Sequence, residues 1–108
     1  MKHLKLYDNE PEIGDYVIMK STSISKVLKS FIENNIGKII DIDNNLDEMR
    51  NFVTYFVTYD NMPEGLNGFD EYRETGILTR EFGAYQVVAF GKTKEDVKRK
   101  KEYNKFRL

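Results

Sequence analysis

Asp41, Asp43 and Asn45 stand at alternate positions in "DIDNNLDE", the spacing at which the first three ligands of an EF-hand loop enclose Ca²⁺. The rest of that register fails. Its sixth position needs glycine and is Leu46; its twelfth needs a bidentate glutamate and is Phe52. The stretch therefore reads as a polar turn, and no metal site is expected. The one histidine, His3, sits at the N-terminus, where nothing holds a general base in place. No cysteine is present, which removes thiolate chemistry, disulfides and thiolate zinc sites together. Carboxylate pairs such as Glu10/Glu12 and Asp70/Glu71 lie in polar stretches and lack the contrasting environments that acid–base catalysis requires. Phosphate-binding glycine loops and nucleophile elbows are absent. The expectation is a protein that is not an enzyme and takes no cofactor.

Binding chemistry is better represented. Alternation along "FVTYFVTY" puts Val53, Tyr55, Val57 and Tyr59 on one face of a strand. If that face is outward, Tyr55 and Tyr59 form an aromatic contact surface; if inward, they are core. The stretch "NMPEGLNGFDEYRETG" is long for a loop in a compact domain, and such loops are often functional. It places Phe69, Tyr72 and Arg73 among carboxylates, a composition suited to a protein partner and repellent to phosphates. Tyr55, Tyr59, Phe69, Tyr72 and Arg73 are thus the candidate partner-binding residues.

The C-terminal "KTKEDVKRKKEYNKFRL" offers the alternative. Residues 92–108 carry eight basic and three acidic groups, a balance of +5, against −6 for residues 1–91. Lys98, Arg99, Lys100, Lys101 and Lys105 could neutralise phosphates of a nucleic acid. The same charges also suit a helix that lies against an acidic body and complements its own C-terminal dipole.

These residues must be positioned by elements that the pattern predicts. "YVIM" at 16–19 follows a Gly14-Asp15 turn as a short strand. Ile24, Val27, Leu28, Phe31 and Ile32 recur at helical spacing, which predicts an amphipathic helix over about 23–34 capped by Ser23. Strands follow at 38–42, 52–59, "ILTREF" and 84–90. Thr93 caps a helix over about 94–106, with Glu95 and Asp96 in its first turn, docked by Val97, Tyr103 and Phe106. With 108 residues, 40% of them apolar and 32% charged, the chain suits one domain. No apolar run approaches the ~20 residues of a membrane span, and "MKHLKLYDNE" lacks the apolar region of a signal peptide, so a cytoplasmic location is expected.

"GDYVIMK", "NNIGKIIDIDN" and "YFVTYD" together resemble the opening of a small SH3-like barrel of the KOW type, in which a Gly-Asp turn leads into the first strand. The whole chain also resembles small phage and bacterial proteins that end in a strand followed by a Lys- and Glu-rich helix, here Lys92, Lys94, Glu95, Asp96 and Val97. The abundance of Asn, Lys, Ile and Tyr matches an AT-rich genome. The resemblance implies a mainly β (α+β) fold: a barrel over 1–91 with the helix 23–34 in place of the first long loop, then the basic helix. It implies a binding module, such as a phage or mobile-element accessory protein acting on a host protein.

Overall fold

The computed structural model describes residues 10–46 and 51–107, with side chains placed for 10–44 and 53–103. His3 and Tyr7, and the side chains of Lys105 and Phe106, lie outside the described residues. The described residues form a small α+β domain with one six-stranded antiparallel sheet and two helices. In chain order these are β1 (Tyr16–Met19), α1 (Lys26–Asn34), β2 (Gly37–Leu46), β3 (Asn51–Thr58), β4 (Asp70–Glu71), β5 (Leu78–Gly83), β6 (Val87–Gly91) and α2 (Lys94–Arg107). The spatial order is β4-β5-β3-β2-β1-β6. Among the described residues no helix is long and apolar enough to cross a membrane.

The Gly14-Asp15 turn forms as expected. Gly14 adopts a φ of 97°, which a side chain would resist. Its N–H donates to the Ile39 carbonyl at 2.8 Å, and the Ile39 N–H donates to the Asp15 carbonyl at 2.9 Å, so the turn is sewn to β2.

Helix α1 starts later than the apolar periodicity indicates. Ser21 Oγ accepts the Ser23 N–H, Ser23 Oγ accepts the Ser25 N–H, and Ser25 Oγ accepts the Leu28 N–H. Each hydroxyl thus holds the backbone two or three residues on, and the cap falls on Ser25 rather than Ser23. The buried stripe is correspondingly narrow. Leu28 and Ile32 are buried and Phe31 half-buried, but Val27 is exposed and Ile24 is 99% exposed.

The sheet is open: among the described residues no ladder joins the β4–β5 edge to β6. It is nonetheless strongly coiled, for a reason of chain length. β5 and β6 are four strand spacings apart, about 19 Å if flat. Only Ala84–Gln86 connect them, spanning at most about 14 Å from Gly83 to Val87. These three residues, expected as the start of the last strand, form a 3₁₀ turn instead. The buried Gln86 secures the corner. Its Nε2 donates to the Lys20 carbonyl at 2.8 Å, and its Oε1 accepts the Gly83 N–H at 3.0 Å. The Lys20 N–H donates back to the Gln86 carbonyl at 2.7 Å. One side chain thus ties the end of β5 to the end of β1.

Two apolar clusters follow from alternation on β1. Val17 and Met19 point to the concave side, where they meet Leu28, Ile32, Ile39, Tyr55, Val57, Tyr59 and Phe82. Ile18 points outward and meets Ala89 and Val97, so α2 packs on the convex side of β1 and β6.

Candidate interaction surface

Tyr55 on β3 and Tyr59 just past its end are core. Tyr55 and Tyr59 are each 4% exposed and belong to the main cluster, so neither presents its ring to a partner. Phe69 joins them from the long loop: its ring meets Tyr59 at 5.7 Å and Phe31 at 6.4 Å, both edge-to-face. Half-buried there, Phe69 anchors the loop. Burial pushes the Tyr59 phenol well above its ordinary value, and its hydroxyl has no hydrogen-bond partner among the described residues. A buried hydroxyl without a partner carries its desolvation cost uncompensated. Tyr59→Phe is therefore expected to raise stability by about 1 kcal/mol in urea unfolding. A loss of that size would mean that the hydroxyl is bonded after all.

Tyr72 and Arg73 go to the opposite face. β3 and β5 pair Tyr55 with Phe82 and Phe56 with Glu81; because Tyr55 and Phe82 are buried, Phe56 and Glu81 face outward. A bulge between Ile39 and Asp41 on β2 does the rest. Ile39 pairs with Val57 and Asp41 with Phe56, leaving Ile40 as the extra residue. Strict alternation from the buried Ile39 would turn Asp41 inward; the bulge turns it outward beside Phe56. Asp41, Phe56 and Glu81 thus form a row across three strands.

The β4–β5 hairpin folds over this row. Its tip is closed by Tyr72 N–H to the Ile77 carbonyl at 2.8 Å and Thr75 N–H to the Tyr72 carbonyl at 3.0 Å. Arg73 occupies the tip at φ 49°, an uncommon conformation for a residue with a side chain. The Tyr72 ring lies 4.9 Å from that of Phe56, and its hydroxyl donates to Asp41 Oδ2. The Arg73 guanidinium lies 4.8 Å from the Tyr72 ring centroid and 3.7 Å from Asp41 Oδ2. Beside them opens a cleft of about 290 Å³, lined by Phe56, Tyr72, Asp70, Glu71, Arg80 and Glu81 among others.

The Tyr72 hydroxyl, the Ile42 N–H and the Arg73 charge, in that order, hold the Asp41 carboxyl below its ordinary value of 3.8. A depressed carboxyl stabilises the folded state above its unfolded value, and that contribution is lost as pH falls through the folded value. Acidification below about pH 4 should therefore weaken the bond between Tyr72 and Asp41. Tyr72→Phe is expected to bring the Asp41 titration, followed by carboxyl ¹³C NMR, back up towards 3.8. An unchanged titration would show that the tyrosine does not govern it.

The basic tail is largely occupied within the molecule. Lys92 Nζ reaches Asp15 Oδ1 at 2.8 Å and Glu12 Oε1 at 2.6 Å; these two carboxylates, Asp15 first, push its ammonium up. Lys94 reaches Asp60 at 3.3 Å. Arg99 pairs with Asp96 at 2.5 Å, Lys100 donates to the Phe90 carbonyl at 2.9 Å, and Lys101 donates to the Glu33 carbonyl at 3.3 Å. Lys98 is exposed without an ion pair among the described residues. Val97 is fully buried, whereas Tyr103, expected to help dock the helix, is 60% exposed.

Of the five expected contact residues, the fold puts only Tyr72 and Arg73 on the outer face, where it adds Asp41, Phe56 and Glu81; Tyr55, Tyr59 and Phe69 meet in the core. The bulge that turns Asp41 outward leaves no sequence signal. Phe56 was legible as the residue facing opposite to Tyr55. Among the described residues no three potential metal ligands cluster. Compared with protein-family models, with curated proteins and with solved structures, the chain matches none.

Proposed function

We propose that this protein is a non-enzymatic binding module that holds a protein partner on the outer face of β2, β3 and β5. The observation that carries this is the placement of Tyr72 and Arg73. A hairpin lays an aromatic ring on the solvent side of the sheet, over Phe56, and holds it there by a bond to Asp41. A half-buried tyrosine and an exposed arginine held in one orientation have the composition and the low ordering cost of a contact hot spot.

The architecture we propose is SH3-like. Support comes from β1 lying between β2 and the last strand, β6, and from the 3₁₀ turn that joins β5 to β6 across the coiled sheet. The composition suits a phage or mobile-element accessory protein acting on a host protein.

The test is affinity capture from a bacterial lysate with the wild-type chain beside Tyr72→Ala and Arg73→Ala, followed by a Kd for any protein retained. A partner lost or weakened at least about 10-fold by either substitution supports the reading. A partner held equally well by all three chains overturns it. Nucleic acid is the competing reading. Saturable binding of an oligonucleotide, steeply weakened by salt and removed by Lys98→Glu with Lys105→Glu, would put it first.

A further inference from the structure

The cleft beside Tyr72 combines two features that rarely serve an anion or an apolar ligand. Its lining brings the aromatic residues Phe56 and Tyr72 together with Asp70, Glu71 and Glu81. None of these three carboxylates has an ion-pair partner among the described residues, although salt bridges fix carboxylates elsewhere on the surface. The one cation in the lining, Arg80, is committed within the protein. Its Nη1 donates to the Gly68 carbonyl at 2.9 Å, and its guanidinium lies 6.0 Å from the Phe82 ring. At about 290 Å³ the cleft is below the usual size of a drug-like ligand site.

The chain itself shows what such a surface attracts. Arg73 places its guanidinium on the Tyr72 ring and beside Asp41, which shares a row with Phe56 and Glu81 of the cleft. A cation gains from the negative face of an aromatic ring and from a nearby carboxylate together. The cleft repeats that pairing of rings with carboxylates, with no cation of the chain paired to the carboxylates. We infer that it receives an arginine or lysine side chain from a basic segment of the partner protein. This rests on the binding-module reading and gives its partner a charge. Charge complementarity selects the occupant: a nucleic acid or an acidic segment would meet three carboxylates against the single charge of Arg80.

The test uses the full ¹⁵N-labelled chain, titrated with a tetra-arginine, a tetra-lysine and a tetra-glutamate peptide at physiological salt. The expected result is saturable shifts at Phe56, Tyr72 and Glu81 with either basic peptide and none with the acidic one. Glu71→Gln combined with Glu81→Gln should weaken the basic peptides at least about 10-fold, while this double variant keeps the wild-type spectrum elsewhere. Shifts scattered over carboxylates on all faces, or an affinity unchanged in the double variant, would overturn the inference. So would salt-sensitive self-association in sedimentation that the double variant abolishes, because the occupant would then be the basic helix of a second copy. A captured partner that is lost with Tyr72→Ala but kept by the glutamine pair would overturn the basic-segment inference and leave the binding module standing. One indifferent to Tyr72→Ala would overturn the module itself.

Discussion

Val97→Asp should cost about 3–4 kcal/mol and release the C-terminal helix from the sheet. Val97 is 0% exposed and, among the described residues, is the only side chain of α2 in the convex cluster with Ile18 and Ala89. Most of the rest of the helix is polar. A carboxylate in that position would have to be desolvated or drawn back into water, and water is reached only by lifting the helix. A helix of 14 residues is marginal on its own, so undocking should also melt it. Circular dichroism at 222 nm would then fall by about the share of those residues, while the concave cluster stays folded. Val97→Ala should cost about 1–2 kcal/mol and keep the helix docked. If Val97→Asp left both helicity and stability unchanged, the helix would not be held by this contact. The consequence for binding work is direct. Truncation at Gly91 would bare Ile18 and Ala89, so the basic residues are better tested by charge substitution than by removal.

Gly37→Ala is expected to destabilise the domain by about 2–3 kcal/mol, through overpacking alone. Gly37 opens β2 opposite Val17 of β1 and Thr58 of β3 lies alongside. A methyl group there would run into Val57 Cγ1 and approach the Tyr59 ring edge to 2.9 Å and the Thr58 carbonyl to 3.0 Å. Val57 and Tyr59 are both fixed in the core and have no room to retreat. The backbone at Gly37 is one that any residue adopts, so conformation adds nothing to the cost. Gly76→Ala is the contrasting control. Its φ of 76° resists a side chain, but nothing lies within 4 Å, and its cost should be about 1 kcal/mol in chemical denaturation. Equal costs at the two positions would mean that β2 and β3 give way near Gly37.

Both effects are large against the 5–15 kcal/mol typical of a whole domain. They concern different faces of the same short strand, β1. Val17 and Met19 close the concave core, and Ile18 carries the helix on the convex side. Because the alternation of a strand sends neighbours to opposite faces, four residues hold two layers together.

Much of this frame was determined by the sequence. Apolar runs placed β1, β2, β3 and the last strand within a few residues, because β-branched and aromatic residues favour a half-buried pleated surface. Thr93, Glu95 and Asp96 marked the start of α2, and the Asp96 N–H does donate to Thr93 Oγ1 at 3.1 Å. The failure of the EF-hand register was also legible from Leu46 and Phe52 alone.

What only tertiary structure decided was direction. The pattern grouped Tyr55 with Tyr59 but carried no sign for inside and outside, since both faces of that strand bear aromatic and β-branched residues; packing against Phe82 and Phe69 turned the pair inward. The helix pattern included Ile24 and Val27, yet a chain of serine hydroxyls starts the helix after Ile24, and Val27 lies in solvent. Asp41 joined the outer surface because a single extra residue on β2 inverted the alternation, and a bulge depends on the register between strands rather than on the residues of either. The tail's charges were plain from the start, but whether they face a partner or the body depends on distances between residues such as Lys92 and Asp15, 77 positions apart. Local chemistry determines which elements form; the ends to which they tie, and the faces they show, are set by contacts that only the folded chain makes.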